Sequence, residues 1–292
     1  MIEELSKICK TETDIDLTLY NTYKLHSVAY AMCFIKDIKE LTSVLNILKK
    51  YKTKWFVIGN GSNIILPEYY DGVILKLTGF NKCILNNNEL YVESNCMLNK
   101  IATKYTLEGY SGLDFACGIP GTIGGSIYGN AGCYGSSISE VLISAIVFDG
   151  RKIIELSCED LKFKYRYSML KENKKYVVLS AKFKLEKGNK KELKELMLQK
   201  NKKRNETQDL HHPSNGSVFR NPEGYAAGKL IDDLNLKGTR INDAVISNIH
   251  ANFIINDGHA TSKDIIKLIK FIQRKVKKEY NIKLVLEQEI IK

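Results

Sequence analysis

The sequence lacks most of the features that mark the commonest special cases. Its seven cysteines stand singly, at Cys9, Cys33, Cys83, Cys96, Cys117, Cys133 and Cys158, with no CxxC pair. An odd, scattered set argues against a disulfide frame or a zinc ribbon and fits reduced thiols in a cytosol. The five histidines, His26, His211, His212, His250 and His259, lack metal-ligand spacing, so no metal is expected. No apolar run approaches the ~20 residues of a membrane span. The opening MIEELSKICKTETDID is polar and partly acidic, so no signal peptide is expected there. No GxGxxG opens a helix after a strand, no glycine loop ends in GK[ST], and no GxSxG elbow occurs. These gaps leave a Rossmann site, a P-loop and a hydrolase triad unsupported. There is no internal repeat and no low-complexity tract.

What is present reads as a globular chain of 292 residues, 44% hydrophobic and 26% charged. That length suits two or three modest domains. The net charge of +11 is mostly lysine spread along helices and turns. It reads either as solvated faces or as affinity for anionic small molecules. No groove-reading motif supports nucleic acid.

Along the chain, residues 36–51 carry helical spacing, with Ile38, Leu41, Val44, Leu45 and Leu48 on one face. WFVIGNGSNIIL (55–66) reads as strand, glycine turn, strand. Residues 72–98 alternate as antiparallel strands with an Asn-rich hairpin at 86–88. A helix over 99–110 closes at Gly109. Short strands follow at AIVFDG, KIIEL and YVVLSAKFKL, then a charged connector helix over 188–208. AAGKLIDDL is a helix, ANFIIN a strand, and 261–280 a long amphipathic helix with Thr261 as N-cap and Asp264 in its first turn. IKLVLEQEI closes the chain as a strand. The expected class is α+β.

Two glycine-rich stretches stand out, Gly59-Asn60-Gly61-Ser62-Asn63 and GIPGTIGGSIYGNAGCYG (118–135), and both read as loops between strands. Glycine gives up the most backbone freedom on folding, so seven of the chain's 20 glycines in one segment need a reason. Tight turns are one reason. The other is an anionic concavity of bared backbone N–H groups, in which two loops hold a pyrophosphate between them.

GLDFA (112–116) followed by GIPGTIGGSIYGNAGCYG closely resembles the flavin-binding core of the MurB family of UDP-N-acetylenolpyruvoylglucosamine reductases, of the shorter type, and GNGSNIIL (59–66) resembles its second flavin loop. The resemblance runs from about residue 19 to 290. It implies an α+β architecture: a two-part FAD-binding fold of the vanillyl-alcohol-oxidase (PCMH) type plus a C-terminal α+β substrate domain. The implied parts are residues 1–70 with the strand 283–292, residues 71–205, and a substrate domain over 206–282. FAD, held without a covalent bond, would lie on Gly59, Asn60, Gly61, Ser62 and Asn63 and on Gly118, Ile119, Pro120, Gly121, Thr122, Gly124, Gly125, Asn130, Ala131 and Gly132.

Tyr165-Arg166-Tyr167-Ser168 is similar to the family's YRxS. A planar, permanently charged guanidinium suits a developing oxyanion, though a turn arginine paired with a carboxylate is the plainer reading. GSVFRNP (216–222) resembles GSxFxNP and implies Ser217 as proton donor; otherwise Ser217 is an ordinary turn serine. LEQEI (286–290) resembles LExEV and implies Glu289 as the acid, with Glu287 a surface carboxylate on the same strand face. Asn221, Lys229 and Lys237 are the diphosphate candidates by resemblance, or else surface residues at helix ends. One departure occurs: His26-Ser27 stands where the family has Gly-Gly, implying a different backbone path near the cofactor. The implied reaction is NADPH-dependent, FAD-mediated reduction of UDP-N-acetylglucosamine enolpyruvate to UDP-N-acetylmuramate for peptidoglycan, in the cytoplasm, with no nucleic acid and no membrane insertion. The rivals are another FAD oxidoreductase of the same fold and a non-catalytic nucleotide-sugar-binding protein.

Overall fold

The computed structural model describes residues 1–173 and 175–292. The chain forms two compact units, neither of them one continuous stretch. The first is Met1–Thr13, Ala31–Asn60 and Gly72–Lys202; the second is Asp14–Tyr30, Gly61–Asp71 and Lys203–Lys292. Each has its own core.

The first unit is built on an antiparallel five-stranded sheet. Its order is Ile153–Ser157, Leu142–Phe148, Val177–Lys184, Glu89–Glu93, Cys83–Asn86. Asn86 pairs with Glu89, so Asn87 and Asn88 make the expected two-residue turn, with Asn87 at φ +53°. Helix Leu98–Glu108 stops at Gly109, which takes φ +92°. Leu90, Val92, Phe115, Ile123, Ile127, Ala145 and Phe183 share one buried cluster. Helix Ile38–Lys50 starts where Asp37 accepts N–H bonds from Lys39 and Glu40.

Two expectations fail here. Tyr69–Lys76 is not in the antiparallel run. It pairs in parallel with Trp55–Val57, in a four-stranded sheet ordered Lys10–Asp16, Val28–Phe34, Tyr69–Lys76, Trp55–Val57. Its consecutive buried residues Gly72, Val73, Ile74 and Leu75 are the mark of a strand covered on both faces, which parallel sheets require. The segment 118–135 is not all loop either, because Ile123–Gly129 is a helix. Gly124 and Gly125 each cost about 1 kcal/mol relative to alanine inside a helix. Ile123 and Ile127 are both 0% exposed, and burying each contributes about 1.5–3 kcal/mol, so packing wins over propensity. Thr122 caps the start by accepting from the Gly125 N–H, and Asn130 ends the helix at φ +45°.

The second unit holds an antiparallel sheet ordered Ser214–Ser217, Phe253–Asn256, Ala244–Ile246, Arg240–Ile241. Helix Ser262–Tyr280 begins in a reciprocal capping box between Thr261 and Asp264. Its face of Ile265, Leu268, Ile269, Ile272 and Val276 packs into a cluster with Val218, Phe219 and Ile231. The C-terminal segment is a strand only at Glu289–Ile290, paired in parallel with Ile64–Ile65. Upstream, Leu286 alone bridges to Phe219, because residues 287 and 288 bend. Helix Lys190–Thr207 buries only Met197, and the division between units falls within it. No helix among the described residues is long and apolar enough to cross a membrane.

Candidate active site

In the first unit the glycine helix is held from both ends. The Ile123 and Gly124 N–H groups donate to Cys96 O and Ser94 O at 2.9 Å, and the Gly125 N–H reaches Thr122 Oγ1 at 3.3 Å. The Gly121 N–H donates to Ile119 O, and the Ile119 N–H to Ala116 O just before the segment. These particular N–H groups are therefore spent inside the protein. The glycines supply space instead. A Cβ on Gly124 would come within 3.1 Å of Ser94 Cβ, and one on Gly59 within 2.5 Å of Thr122 Oγ1, so these two are packed against the chain itself. Gly125 and Gly129 differ. A Cβ on Gly125 would meet only Thr122 Oγ1, at an ordinary 3.5 Å, and one on Gly129 nothing within 4 Å. They lie four apart on one helix face. Nothing in the chain's own packing requires them to be glycine, and a flat group pressed against that face would.

The loop Gly59–Asn63 meets this segment through Asn60, whose Nδ2 donates to Pro120 O at 2.6 Å. The Gly59 and Asn60 N–H groups find no acceptor among the described residues. Lys76, unnoticed in the sequence, donates its ammonium to Gly59 O. Its only signal there was a lysine ending the apolar strand GVILK. The residues present thus fit a large, flat, anionic cofactor: a cleared helix face beside a turn with free donors.

Arg166 is set by the same helix. The Lys164 and Tyr167 backbones exchange bonds of 3.1 and 3.0 Å, closing a turn in which Arg166 takes φ +56°. That left-handed conformation costs a non-glycine residue about 1–2 kcal/mol. Asn130 Nδ2 holds Lys164 O at 3.0 Å, Ser168 Oγ holds Tyr128 O at 2.7 Å, and Arg166 Nη2 donates to Gly132 O at 2.8 Å. Asn130 is 5% exposed, and its side chain also bonds Ser139, so it works as the brace of the arginine turn.

In the second unit, Ser217 and the C-terminal glutamates come together. The register slips between Ser214 and Ser217, a bulge in which Gly216 takes φ +67°. The Glu287 N–H donates to Val218 O at 2.9 Å, and the Glu289 N–H to Asn63 O at 2.9 Å. Between them Gln288, 3% exposed, spans the carbonyls of Asn215, Gly216 and Ser217 at 3.4 Å each. Tyr23 OH donates to Gln288 Oε1 at 3.0 Å, and burial pushes the Tyr23 phenol far up despite that bond. Asn215 donates to Ile64 O at 2.7 Å and accepts from Thr22 Oγ1 at 2.5 Å. Neither Gln288 nor Asn215 had been singled out. The one signal was Gln288's position between two glutamates in an alternating segment. Glu287 is half-buried rather than a surface carboxylate.

Asp209, 3% exposed, accepts from Ser247 Oγ at 2.8 Å and pairs with His212 Nδ1 at 2.9 Å. Burial alone would raise its pKa, but the bonds to His212 and Ser247 outweigh it and hold the carboxyl low. Of the diphosphate candidates, Asn221 Oδ1 accepts the Ala227 N–H at 3.0 Å at the start of helix Ala227–Asp232. Lys229 pairs with Asp233 and Lys237 with Asp232, both at 3.0 Å. The His26-Ser27 departure does not force a strained path. Lys24 takes φ +55°, but neither His26 nor Ser27 has positive φ. Ser27 is fully buried and donates to Pro67 O at 2.6 Å, while the His26 side chain is 77% exposed beside Asp16.

Comparison with known proteins shows the family of the chain. Residues 208–291 match the UDP-N-acetylenolpyruvoylglucosamine reductase C-terminal domain, and residues 29–152 match the FAD binding domain. The chain is 40% identical to the UDP-N-acetylenolpyruvoylglucosamine reductase of Bacillus pumilus, over 99% of this chain and 95% of that one. It is 37% identical to that of Caldanaerobacter subterraneus subsp. tengcongensis, over 99% and 96%. The crystal structure of the Thermus caldophilus reductase (MurB) superposes with a TM-score of 0.82 at 30% identity, covering 97% of this chain and 99% of that one. A variant of Phl p 4 described as a glucose oxidase shares the fold alone, with a TM-score of 0.50 at 12% identity over 64% of this chain and 44% of that one. The architecture is α+β, an FAD-binding fold of the vanillyl-alcohol-oxidase (PCMH) type followed by the reductase C-terminal domain. The chain belongs to the UDP-N-acetylenolpyruvoylglucosamine reductase family.

Proposed function

We propose that this chain reduces UDP-N-acetylglucosamine enolpyruvate to UDP-N-acetylmuramate with NADPH, through non-covalent FAD, as a cytoplasmic step of peptidoglycan precursor synthesis. The observation that carries the reading is the clamp on Ser217. In a chain of this family, the Gln288 side chain reaches the Ser217 carbonyl and the Glu287 N–H holds Val218 O, tying the serine's bulge to the C-terminal segment that carries Glu289. The overall reaction consumes substrate, NADPH and one proton and yields product and NADP⁺. FAD, when bound, supplies two-electron transfer between the nicotinamide and the enolpyruvyl vinyl group.

The chain's own residues do the rest. Gly125 and Gly129 keep a helix face clear for the cofactor, with Gly59 to Asn63 and Gly118 to Gly132 around it. Arg166, braced through Asn130 and Gly132, steadies negative charge growing beside the substrate carboxylate. Glu289 is the acid at that carboxylate. Ser217 Oγ–H gives its proton to the carbon next to the carboxylate. A serine is a weak acid, so it serves only a strongly basic carbon and only when held in place, which the clamp provides. Asn221, Lys229 and Lys237 hold the substrate diphosphate, and the two lysines exchange their aspartate partners for it. In this division of labour, residues 1–70 with 283–292 and residues 71–205 hold FAD, and residues 206–282 hold the nucleotide sugar.

Loss of NADPH absorbance on adding UDP-N-acetylglucosamine enolpyruvate to the purified yellow protein tests the reading. A yellow protein that ignores this substrate and consumes dioxygen with a small alcohol is instead an oxidase of the same fold. A colourless protein that binds the nucleotide sugar without turnover is a binding protein.

A further inference from the structure

Lys76 ends the strand Tyr69–Lys76, half-buried, and its ammonium donates to Gly59 O. No carboxylate among the described residues pairs with it, and burial holds the amine below the usual lysine range. An ammonium carries three N–H donors, and a single carbonyl leaves two of them and the whole charge unmatched. A cation withdrawn from water without an anion costs free energy. The turn beside it is similarly under-used, since the Gly59 and Asn60 N–H groups have no acceptor among the described residues. Thr122 stands too close to Gly59 for any side chain there, and Asn60 is tied to Pro120 O, so the turn cannot swing away to meet the charge. A cation and two backbone donors on one fixed turn make a site for a phosphate oxyanion.

We propose that Lys76 is the counter-cation of the FAD diphosphate. The proposal rests on the reading of the chain as an FAD enzyme. The diphosphate is the part of oxidised FAD with full negative charge, so it is the part that a lone ammonium selects. Lys76 is a binding residue here and takes no part in proton or electron transfer.

The test uses flavin-stripped full-length protein and measures FAD affinity by fluorescence quenching at several salt concentrations. Riboflavin, which lacks phosphate, is the second probe. Lys76→Gln can still donate to Gly59 O, so a merely structural role survives the change while the charge is lost. A charge-assisted hydrogen bond contributes about 1.5–3 kcal/mol, so K76Q should weaken FAD binding about 10- to 100-fold. Its salt dependence should flatten, riboflavin affinity should stay within about twofold, and the stripped K76Q protein should melt no lower than stripped wild type, since an unpaired cation is gone. Lys76→Arg should keep more affinity than K76Q. Equal FAD affinity in wild type and K76Q overturns the assignment, as does an equal loss for riboflavin, which would put Lys76 at the ring or in the loop's support. Wild-type protein that takes up no FAD overturns the proposed function and this inference together, and that result is visible before any variant is made.

Discussion

Two places in this chain depend on glycine for opposite reasons. In helix Ile123–Gly129 the backbone is ordinary, and what Gly125 and Gly129 leave open is room on the outside. At the bulge before Ser217 there is room, with only Phe253 Cζ at 4.0 Å from a would-be Cβ, but Gly216 sits at φ +67°, where side chains strain the chain. The first glycines serve whatever lies against the helix. The second serves the aim of the next residue. A substitution in the first place should therefore spare the fold and strike the ligand, and one in the second should strain the fold and disturb the serine.

The sharpest test concerns that serine. Ser217→Ala removes one positioned proton donor, an effect of about 100- to 10,000-fold. Flavin bleaching by NADPH in stopped flow should keep nearly its original rate. Reoxidation of the reduced flavin by the enolpyruvyl substrate should slow at least about a hundredfold. Ser217→Cys, a better acid of similar size, should recover part of the loss. Equal slowing of both halves would mean that Ser217 only supports the bulge.

Next comes the cleared helix face. Gly125→Val should abolish flavin loading while the stripped protein melts at or above the wild-type temperature, because a glycine leaves a helix interior. Gly216→Ala should do the reverse, lowering stability by about 1–2 kcal/mol with flavin content intact. A full flavin complement in G125V would show that the cofactor does not lie against this helix face. A G216A protein as stable as wild type would remove the strain argument.

That contrast also marks how far the sequence could be read. Helix Ile38–Lys50, the Asn87 turn and the Thr261 cap were legible because their signals are local: an apolar period, a turn residue, a capping pair. Tyr69–Lys76 was misassigned because its pairing partner, Trp55–Val57, is chosen by burial on both faces rather than by its own alternation. The helix within 118–135 was hidden because Ile123 and Ile127 outweigh their glycine neighbours only once a core exists to receive them. At the proposed site, Arg166, Ser217 and Glu289 are reached through family resemblance. Gln288, Asn215 and Lys76 are not, since each acts on backbone that is distant in sequence.

The smallest expected effect lies in a cap that should touch stability alone. Thr261 and Asp264 bond reciprocally at the head of helix Ser262–Tyr280, with Thr261 Oγ1 to Asp264 Oδ2 at 2.7 Å and the Asp264 N–H back to Thr261 Oγ1 at 3.2 Å. Asn242 Nδ2 adds a further bond to the carboxylate at 2.9 Å. Burial would raise the Asp264 pKa, but the Thr261 side chain and backbone and Asn242 together pull it below the usual carboxylate value. A carboxyl lowered on folding stabilises above its unfolded pKa, and that contribution is lost as pH falls through the folded value. Thr261→Ala should therefore cost about 1 kcal/mol at neutral pH, measured by urea unfolding. The gap between T261A and wild type should narrow as pH drops below the unfolded carboxylate value of about 4 and through the lowered folded value of Asp264. Flavin content and both half-reactions should not change. A gap that holds constant to pH 2, at about the same 1 kcal/mol, would assign the cap to the threonine hydroxyl alone and leave the carboxylate without a part in it.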